Sequence, residues 1–145
     1  MKGIQNVIFD LGGVIINLDT SRTISAFNKI SQIPFQNIYT QAKQDELFSL
    51  LDVGKISTID FLTEVKRQIR YNGSNEDVLY AWNAMLLDVP EERLDVLVEM
   101  KHNYNTFLLS NTCEPHLMKF KKNIRTARNR DLASACYRSL YIALI

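Results

Sequence analysis

Apolar and polar positions along the chain change their period several times, and each change marks an element. Asn6 to Phe9 is apolar and β-branched and stops at Asp10-Leu11-Gly12-Gly13. That predicts a short buried strand entering a turn that glycine permits. Val14 to Leu18 is apolar again and reads as a small flap, after which Asp19-Thr20-Ser21 supplies cap chemistry for a helix carrying Ile24, Phe27 and Ile30. Helical spacing continues to about residue 86. Pro34 opens a segment that runs to Leu47, Leu50 and Leu51, with Gly54 marking its end. Ser57 with Asp60 has the form of a capping box ahead of Leu62, Val65 and Ile69, and Asn72-Gly73 closes that helix. Val78, Leu79, Trp82, Met85 and Leu86 form a wide stripe on another helix.

Asp88, Pro90 and Glu91 then give the start signature of a helix bearing Leu94, Leu97 and Val98. A second short apolar strand, Thr106 to Leu109, ends at Ser110-Asn111-Thr112, with Pro115 placed where a new helix would begin. Two buried strands separated by helical crossovers are most simply parallel neighbours, so the fold class is α/β. A parallel sheet is stable when both faces are covered and several strands pair. With two recognisable strands, the isolated chain is expected to be marginally stable or to join with something else.

The composition, 145 residues with 46% hydrophobic and 23% charged, fits one soluble globular unit. No apolar run reaches the length of a membrane span, and the first residues lack a secretory h-region, so a cytoplasmic protein with no membrane partner is expected. Cys113 and Cys136 have no ligand spacing and read as free buried thiols. Charge is uneven. Residues 1–114 hold ten Lys and Arg against fifteen acids, whereas residues 115–145 hold seven against Asp131 alone. Beyond about Lys122 the periodicity fades, so residues 123–145 form an atypical basic segment. Its Arg cluster lacks aromatic interleaving before Tyr137 and Tyr141, and no nucleic-acid partner is expected. His102 and His116 read as surface or capping residues, and Trp82 and the Met residues as core.

Ligands of open parallel sheets bind beyond the carboxyl ends of the strands, where both polar clusters fall. The second cluster also precedes a helix, so hydroxyl, amide and helix dipole would converge on an anion. A carboxylate from Asp10 beside a phosphate is repulsive unless a cation intervenes, which implies Mg²⁺. Turn chemistry explains Asp10 and helix capping explains Ser110-Asn111-Thr112 equally well, each taken separately.

The string Val7-Ile8-Phe9-Asp10-Leu11-Gly12-Gly13-Val14-Ile15 resembles motif I of the haloacid dehalogenase (HAD) superfamily, and Phe107-Leu108-Leu109-Ser110-Asn111-Thr112 resembles its motif II. The helical insert between them is similar to the family's helical cap of the first type, with Gly54-Lys55-Ile56-Ser57 leading into a cap helix. The resemblance covers roughly residues 4 to 120. It implies a Rossmann-like core, partial here, over 1–18 and 90–122, with a cap over 19–89 that closes on the site. By the same resemblance Asp10 is the nucleophile and a Mg²⁺ ligand, the Gly12 carbonyl is a second ligand, and Ser110 with the Asn111 N–H holds the phosphoryl group. The implied activity is Mg²⁺-dependent hydrolysis of a small phosphorylated metabolite such as a sugar phosphate.

Two features depart from the family pattern. Gly12 stands where the family's general acid is expected, with Asp19 as a candidate substitute, and nothing after Asn111 matches the family's later Lys and acidic-pair motifs. Two alternatives follow: a truncated, inactive or non-enzymatic binding form, and a metal-independent haloacid dehalogenase.

Overall fold

The structure, a computed structural model, describes residues 3–39, 46–126 and 141–144. The chain divides into two compact units: Met1–Leu18, Leu87–Thr112 and Met118–Ile145 form one, and Asp19–Leu86 with Cys113–Leu117 form the other.

The first unit is α/β. Its strands are β1 (Asn6–Phe9), β2 (Asn105–Ser110) and β3 (Tyr141–Leu144), all parallel and ordered β1-β2-β3. The sequence showed two strands. The third lies in the segment beyond Lys122, where flanking residues carry no turn punctuation to delimit it, and the helix before it, which starts at Glu114, runs on to Thr126. Arg128, Arg130, Asp131, Cys136, Tyr137 and Arg138 lie outside the described residues.

Register fixes the faces of this sheet. Phe9 pairs with Leu108 and Ile8 with Phe107, so Val7, Phe9, Thr106, Leu108 and Ser110 share one face, and Asn6, Ile8, Asn105, Phe107 and Leu109 share the other. On the first face Thr106, Leu108 and Ser110 are buried. The second face is half-buried at Phe107 and exposed at the rest. Helix α5 (Glu91–Asn103) packs against β2, and Leu94 and Leu97 from it join Leu11, Ile15, Ile16, Leu108 and Phe120 among the unit's buried apolar residues. Its first turn holds Glu91 and Glu92 and its last Lys101, each sign complementing the helix dipole. Asp88 does not cap α5 as the sequence suggested. Pro90 occupies the cap position without a side-chain bond, while the Asp88 carboxylate accepts from Asn17 Nδ2 at 3.2 Å. Backbone bonds Asn17 N–H to Asp88 O (3.0 Å) and Leu87 N–H to Asn17 O (2.9 Å) hold Asp88 there.

The second unit is helical. It contains α1 (Thr20–Ile30), a 3-10 turn at Phe35–Asn37, α2 (Glu46–Asp52), α3 (Thr58–Ile69) and α4 (Asn75–Asn83), together with the first turn of α6 (Glu114–Thr126). Asp19 caps α1 and Ser57 caps α3, as read from the sequence. Ser74 and Asp77 form a reciprocal capping box on α4. Arg70, in the left-handed region at φ 55°, ends α3 ahead of Asn72-Gly73. The core is aromatic. Phe27 stacks on Phe35 at 4.0 Å, and Phe48 meets Trp82 at 5.1 Å and Phe61 at 5.4 Å. Such pairs contribute about 0.5–1.5 kcal/mol each beyond their area burial. Buried Thr23 ties the unit's ends to this core: its hydroxyl donates to Trp82 O (3.1 Å) and accepts from the Met85 N–H (3.0 Å). Among the described residues no helix is long and apolar enough to cross a membrane.

Candidate functional site

Two strand ends build the site. Because Phe9 aligns with Leu108 in parallel register, Asp10 falls level with Leu109, and Ser110 and Asn111 lie just beyond on the neighbouring strand. Adjacent strands run about 4.8 Å apart, so the structure brings Asp10 together with Ser110 and Asn111 at one end of the sheet. Asp10 is exposed there, and its Oδ1 accepts from the Leu11 N–H at 2.6 Å. That bond orients the carboxylate and leaves it lone pairs to spare. Ser110 and Thr112 are buried and Asn111 is exposed.

The turn after β1 leaves the Gly12 carbonyl out of its own backbone bonds. Gly12 and Ile16 form a parallel bridge, made by the Ile16 N–H to Leu11 O (3.0 Å) and the Gly13 N–H to Ile16 O (2.9 Å). Neither bond uses the Gly12 carbonyl. Gly13 sits at φ +74°, a conformation that favours glycine, so the predicted flap is a tight loop whose glycines have separate uses. Val14 is exposed at its tip, and Ile15 and Ile16 are buried.

The first turn of α6 contributes less than the sequence suggested. Pro115 has no N–H, the Leu117 N–H bonds Cys113 O at 3.0 Å, and the His116 N–H is directed to the Cys113 thiol. Cys113 thus caps the helix from within the helical unit, and it also accepts from the Trp82 indole at 3.4 Å. It is a free, buried cysteine. Burial pushes its thiol up to about 11, so it is protonated at neutral pH. Glu114 accepts from Thr58 Oγ1 at 2.6 Å.

His116 was read as a surface or capping residue, and the structure places it otherwise. Its ring stacks on Trp82 at 4.8 Å with 17° between planes, and Nε2 lies 3.2 Å from Trp82 O. Desolvation pushes it down to about 4, so the ring is neutral near pH 7. No periodicity marked it, because a helix-start histidine next to Pro115 reads as capping chemistry. Of the Met residues, Met85 is core and Met118 exposed.

Asp19 is not a spare acid. Its carboxylate accepts from the Ser21 N–H (3.0 Å) and Ser21 Oγ (2.5 Å), and the Ser21 hydroxyl leads the interactions that lower its pKa. That direction is the opposite of what a proton donor needs. Among the described residues, no three His, Cys, Asp or Glu side chains gather as a metal cluster.

A parallel sheet with polar loops at the carboxyl ends of neighbouring strands is the arrangement of ligand-binding α/β folds. Within that class, the chain belongs to the HAD family. A HAD family enzyme from Bacteroides thetaiotaomicron, crystallised as its magnesium complex, matches with a TM-score of 0.82 and 34% identity over 97% of this chain and 68% of its own. The wild-type enzyme with magnesium and inorganic phosphate gives 0.76 and 37%, over 83% of this chain and 60% of its own. A HAD-like family hydrolase from Porphyromonas gingivalis gives 0.78 and 28%, over 95% of this chain and 65% of its own. By sequence, a D-ribitol-5-phosphate phosphatase of B. thetaiotaomicron is 28% identical over 117 residues, 81% of this chain and 56% of that protein. The chain therefore spans a little over half the length of that phosphatase. No family profile matches it.

Proposed function

We propose that the chain carries the nucleophile and phosphoryl-binding half of a Mg²⁺-dependent phosphomonoester hydrolase acting on a small phosphorylated metabolite such as a sugar or polyol phosphate. The observation that supports this reading is the parallel register, which makes β1 and β2 neighbours, so Asp10 follows one strand end and Ser110 and Asn111 lie at the end of the adjacent strand. Asp10 attacks phosphorus, forming its Oδ–P bond as the ester P–O bond breaks and the leaving oxygen takes a proton from water to depart as the alcohol. Water then hydrolyses the aspartyl-phosphate, releasing phosphate and restoring the carboxylate. Ser110 and Asn111 hold the phosphoryl oxygens in line with that attack. The helical unit, residues 19–86, serves as the cap that sets substrate choice.

The donor set suits Mg²⁺. The exposed Asp10 carboxylate and the Gly12 carbonyl, unused by the Gly12–Ile16 bridge, supply two hard oxygens, and this ion is commonly held by one or two carboxylates plus waters and substrate phosphate. When bound, it offsets the repulsion between carboxylate and phosphate. The relatives support the reading, since one is named a phosphatase and another was crystallised with magnesium and inorganic phosphate.

Phosphate release from D-ribitol 5-phosphate and p-nitrophenyl phosphate, with Mg²⁺ and with EDTA, tests this. Turnover that EDTA and Asp10→Asn both abolish is expected. Release that EDTA leaves intact overturns the phosphatase and favours a metal-independent reaction. The absence of any Asp10-dependent release favours a non-catalytic binding role, which the lone carboxylate and the partial span of the relatives also fit.

A further inference from the structure

The link between α3 and α4 holds a reactive pair that neither helix uses. Asn72-Gly73 is the one place in the sequence where glycine follows asparagine. An asparagine carboxamide is short enough to meet the main chain just beyond it, and a glycine there puts no Cβ in the way. Asn72 is exposed between the C-cap Arg70 and the N-cap Ser74. The amides on either side are taken, since the Tyr71 N–H bonds Lys66 O at 2.9 Å and the Ser74 N–H bonds the Asp77 carboxylate at 3.3 Å. Among the described residues the Gly73 N–H and the Asn72 carboxamide make no hydrogen bond.

Other asparagines of the helical unit are held. Asn28 accepts from the Phe35 N–H at 2.8 Å and donates to Gln36 at 3.2 Å, Asn75 accepts from Lys66 Nζ at 3.1 Å, and Asn83 precedes Ala84, whose N–H bonds Ala81 O at 3.3 Å. Around Asn72 the fit is close. The Tyr71 ring lies over Gly73, where an added Cβ would come within 2.1 Å of its Oη, and that hydroxyl donates to Asp77 Oδ2 at 2.6 Å. The same carboxylate oxygen takes the Ser74 hydroxyl at 2.7 Å within the capping box of α4. The start of α4 therefore depends on the length of chain between Tyr71 and Ser74.

We propose that Asn72 is a site of self-modification in the folded chain, converting to isoaspartate and aspartate without an enzyme. The Gly73 nitrogen, giving its proton to solvent, attacks Asn72 Cγ; the new C–N bond closes a succinimide ring as the Cγ–Nδ2 bond breaks and ammonia leaves with a proton from water. Water then opens the ring. Breaking the ring bond at Cγ leaves aspartate, and breaking it at the main-chain carbonyl leaves isoaspartate, whose backbone is one methylene longer. The sum is redox-neutral: carboxamide and water become carboxylate and ammonia. The longer link carries Tyr71 away from Asp77 and frays the first turn of α4, so the modification loosens the helical unit with age. This site stands apart from the phosphatase reading.

The test ages the full chain at mildly alkaline pH, folded and in urea, and maps the products by mass spectrometry, with digestion in heavy-oxygen water to mark conversion during preparation. Trypsin cuts after Arg70 and Arg93, so one peptide holds Asn72, Asn75 and Asn83. In the folded chain Asn72 should convert at least about tenfold faster than Asn75 or Asn83. As it converts, the urea midpoint read from Trp82 fluorescence should fall. Asn72→Gln, at an exposed position and with an extra methylene that makes the ring slow to close, should show neither change. Conversion confined to the urea-unfolded chain, equal rates at Asn75, a midpoint that holds while Asn72 converts, or the same drift in Asn72→Gln would each overturn the inference.

Discussion

Acidification should loosen the helical unit through one side chain. His116 is held neutral against Trp82, with burial pushing it down to about 4, while the unfolded chain titrates it near 6.5. The unfolded state therefore takes the proton first. The stability that His116 supports is complete above about pH 6.5 and is lost as pH falls toward 4. Between pH 7 and pH 5 the loss is about 2 kcal/mol, and over the whole window about 3 kcal/mol. Against a total of about 5–15 kcal/mol, the smaller figure is already large. Trp82 is the single tryptophan and stacks on this imidazole, so its fluorescence reports urea unfolding of this unit. His116→Phe keeps a ring on the indole but cannot take the proton. Its stability should change by less than about 0.5 kcal/mol from pH 7 to 5, against about 2 kcal/mol for the parent. Asp19, Glu64 and Asp77 have lowered pKa values, led by bonds from Ser21, Arg67 and Tyr71. Their stabilisation is lost only at lower pH, as each carboxylate protonates, and is common to both proteins. Equal slopes for parent and His116→Phe, or an imidazole that titrates between pH 6 and 7 by NMR, would refute the reasoning.

Three further outcomes are expected. Thr23→Val should lower stability by about 1–3 kcal/mol in urea titration, because the buried Met85 N–H loses its acceptor and Trp82 O a donor. Arg70→Gly should raise it by about 1 kcal/mol, since the C-cap of α3 sits at φ 55°, where a Cβ is costly; a loss would show that the Arg70 side chain makes up for that cost. Gly12→Asp returns a carboxylate to the position where the HAD pattern has its general acid, and its Cβ would come within 2.8 Å of Leu18 Cδ1, the mobile end of a side chain. If a missing proton donor limits turnover, Mg²⁺-dependent phosphate release should rise about 10²-fold or more, and an unchanged rate refutes that limit.

Most of the helical unit was legible because its signals are local. Asp19 and Ser57 each sit within three residues of the N–H groups they cap, and Leu62, Val65 and Ile69 repeat at the helical period, so chain position alone identifies them. β1 was legible for a similar reason, ending where Asp10 and the glycines begin. The misses are non-local. Asp88 bonds Asn17, 71 positions away, and His116 stacks on Trp82, 34 positions away, and neither partner can be chosen without the fold. β3 was lost because four residues of strand give too little pattern to stand out when their pairing partner, Phe107 to Ser110, lies more than thirty positions earlier. At the site, Asp10 and Ser110 could be named from their motifs, but the loss of α6 amides to Cys113 could not, since it depends on where a thiol points.

The two units differ in how completely their sequences close a core, and that difference bears on chemistry. The helical unit surrounds Phe48 and Trp82 with aromatic neighbours and satisfies its caps within itself. The α/β unit holds Asp10, Gly12, Ser110 and Asn111, yet its sheet buries one face and leaves an edge of β1 open among the described residues. A catalytic carboxylate is useful only when held within about 0.5 Å of its working position. On the proposed reading that carboxylate is Asp10, which follows a four-residue strand paired on one side among the described residues. Local opening free energy falls with fewer buried apolar contacts and more exposed backbone hydrogen bonds, so β1, whose residues are half-buried or exposed, is expected to open more readily than β2, which buries Thr106, Leu108 and Ser110. A substitution that loosens β1 should therefore also displace Asp10, so that stability and the proposed activity fall together there.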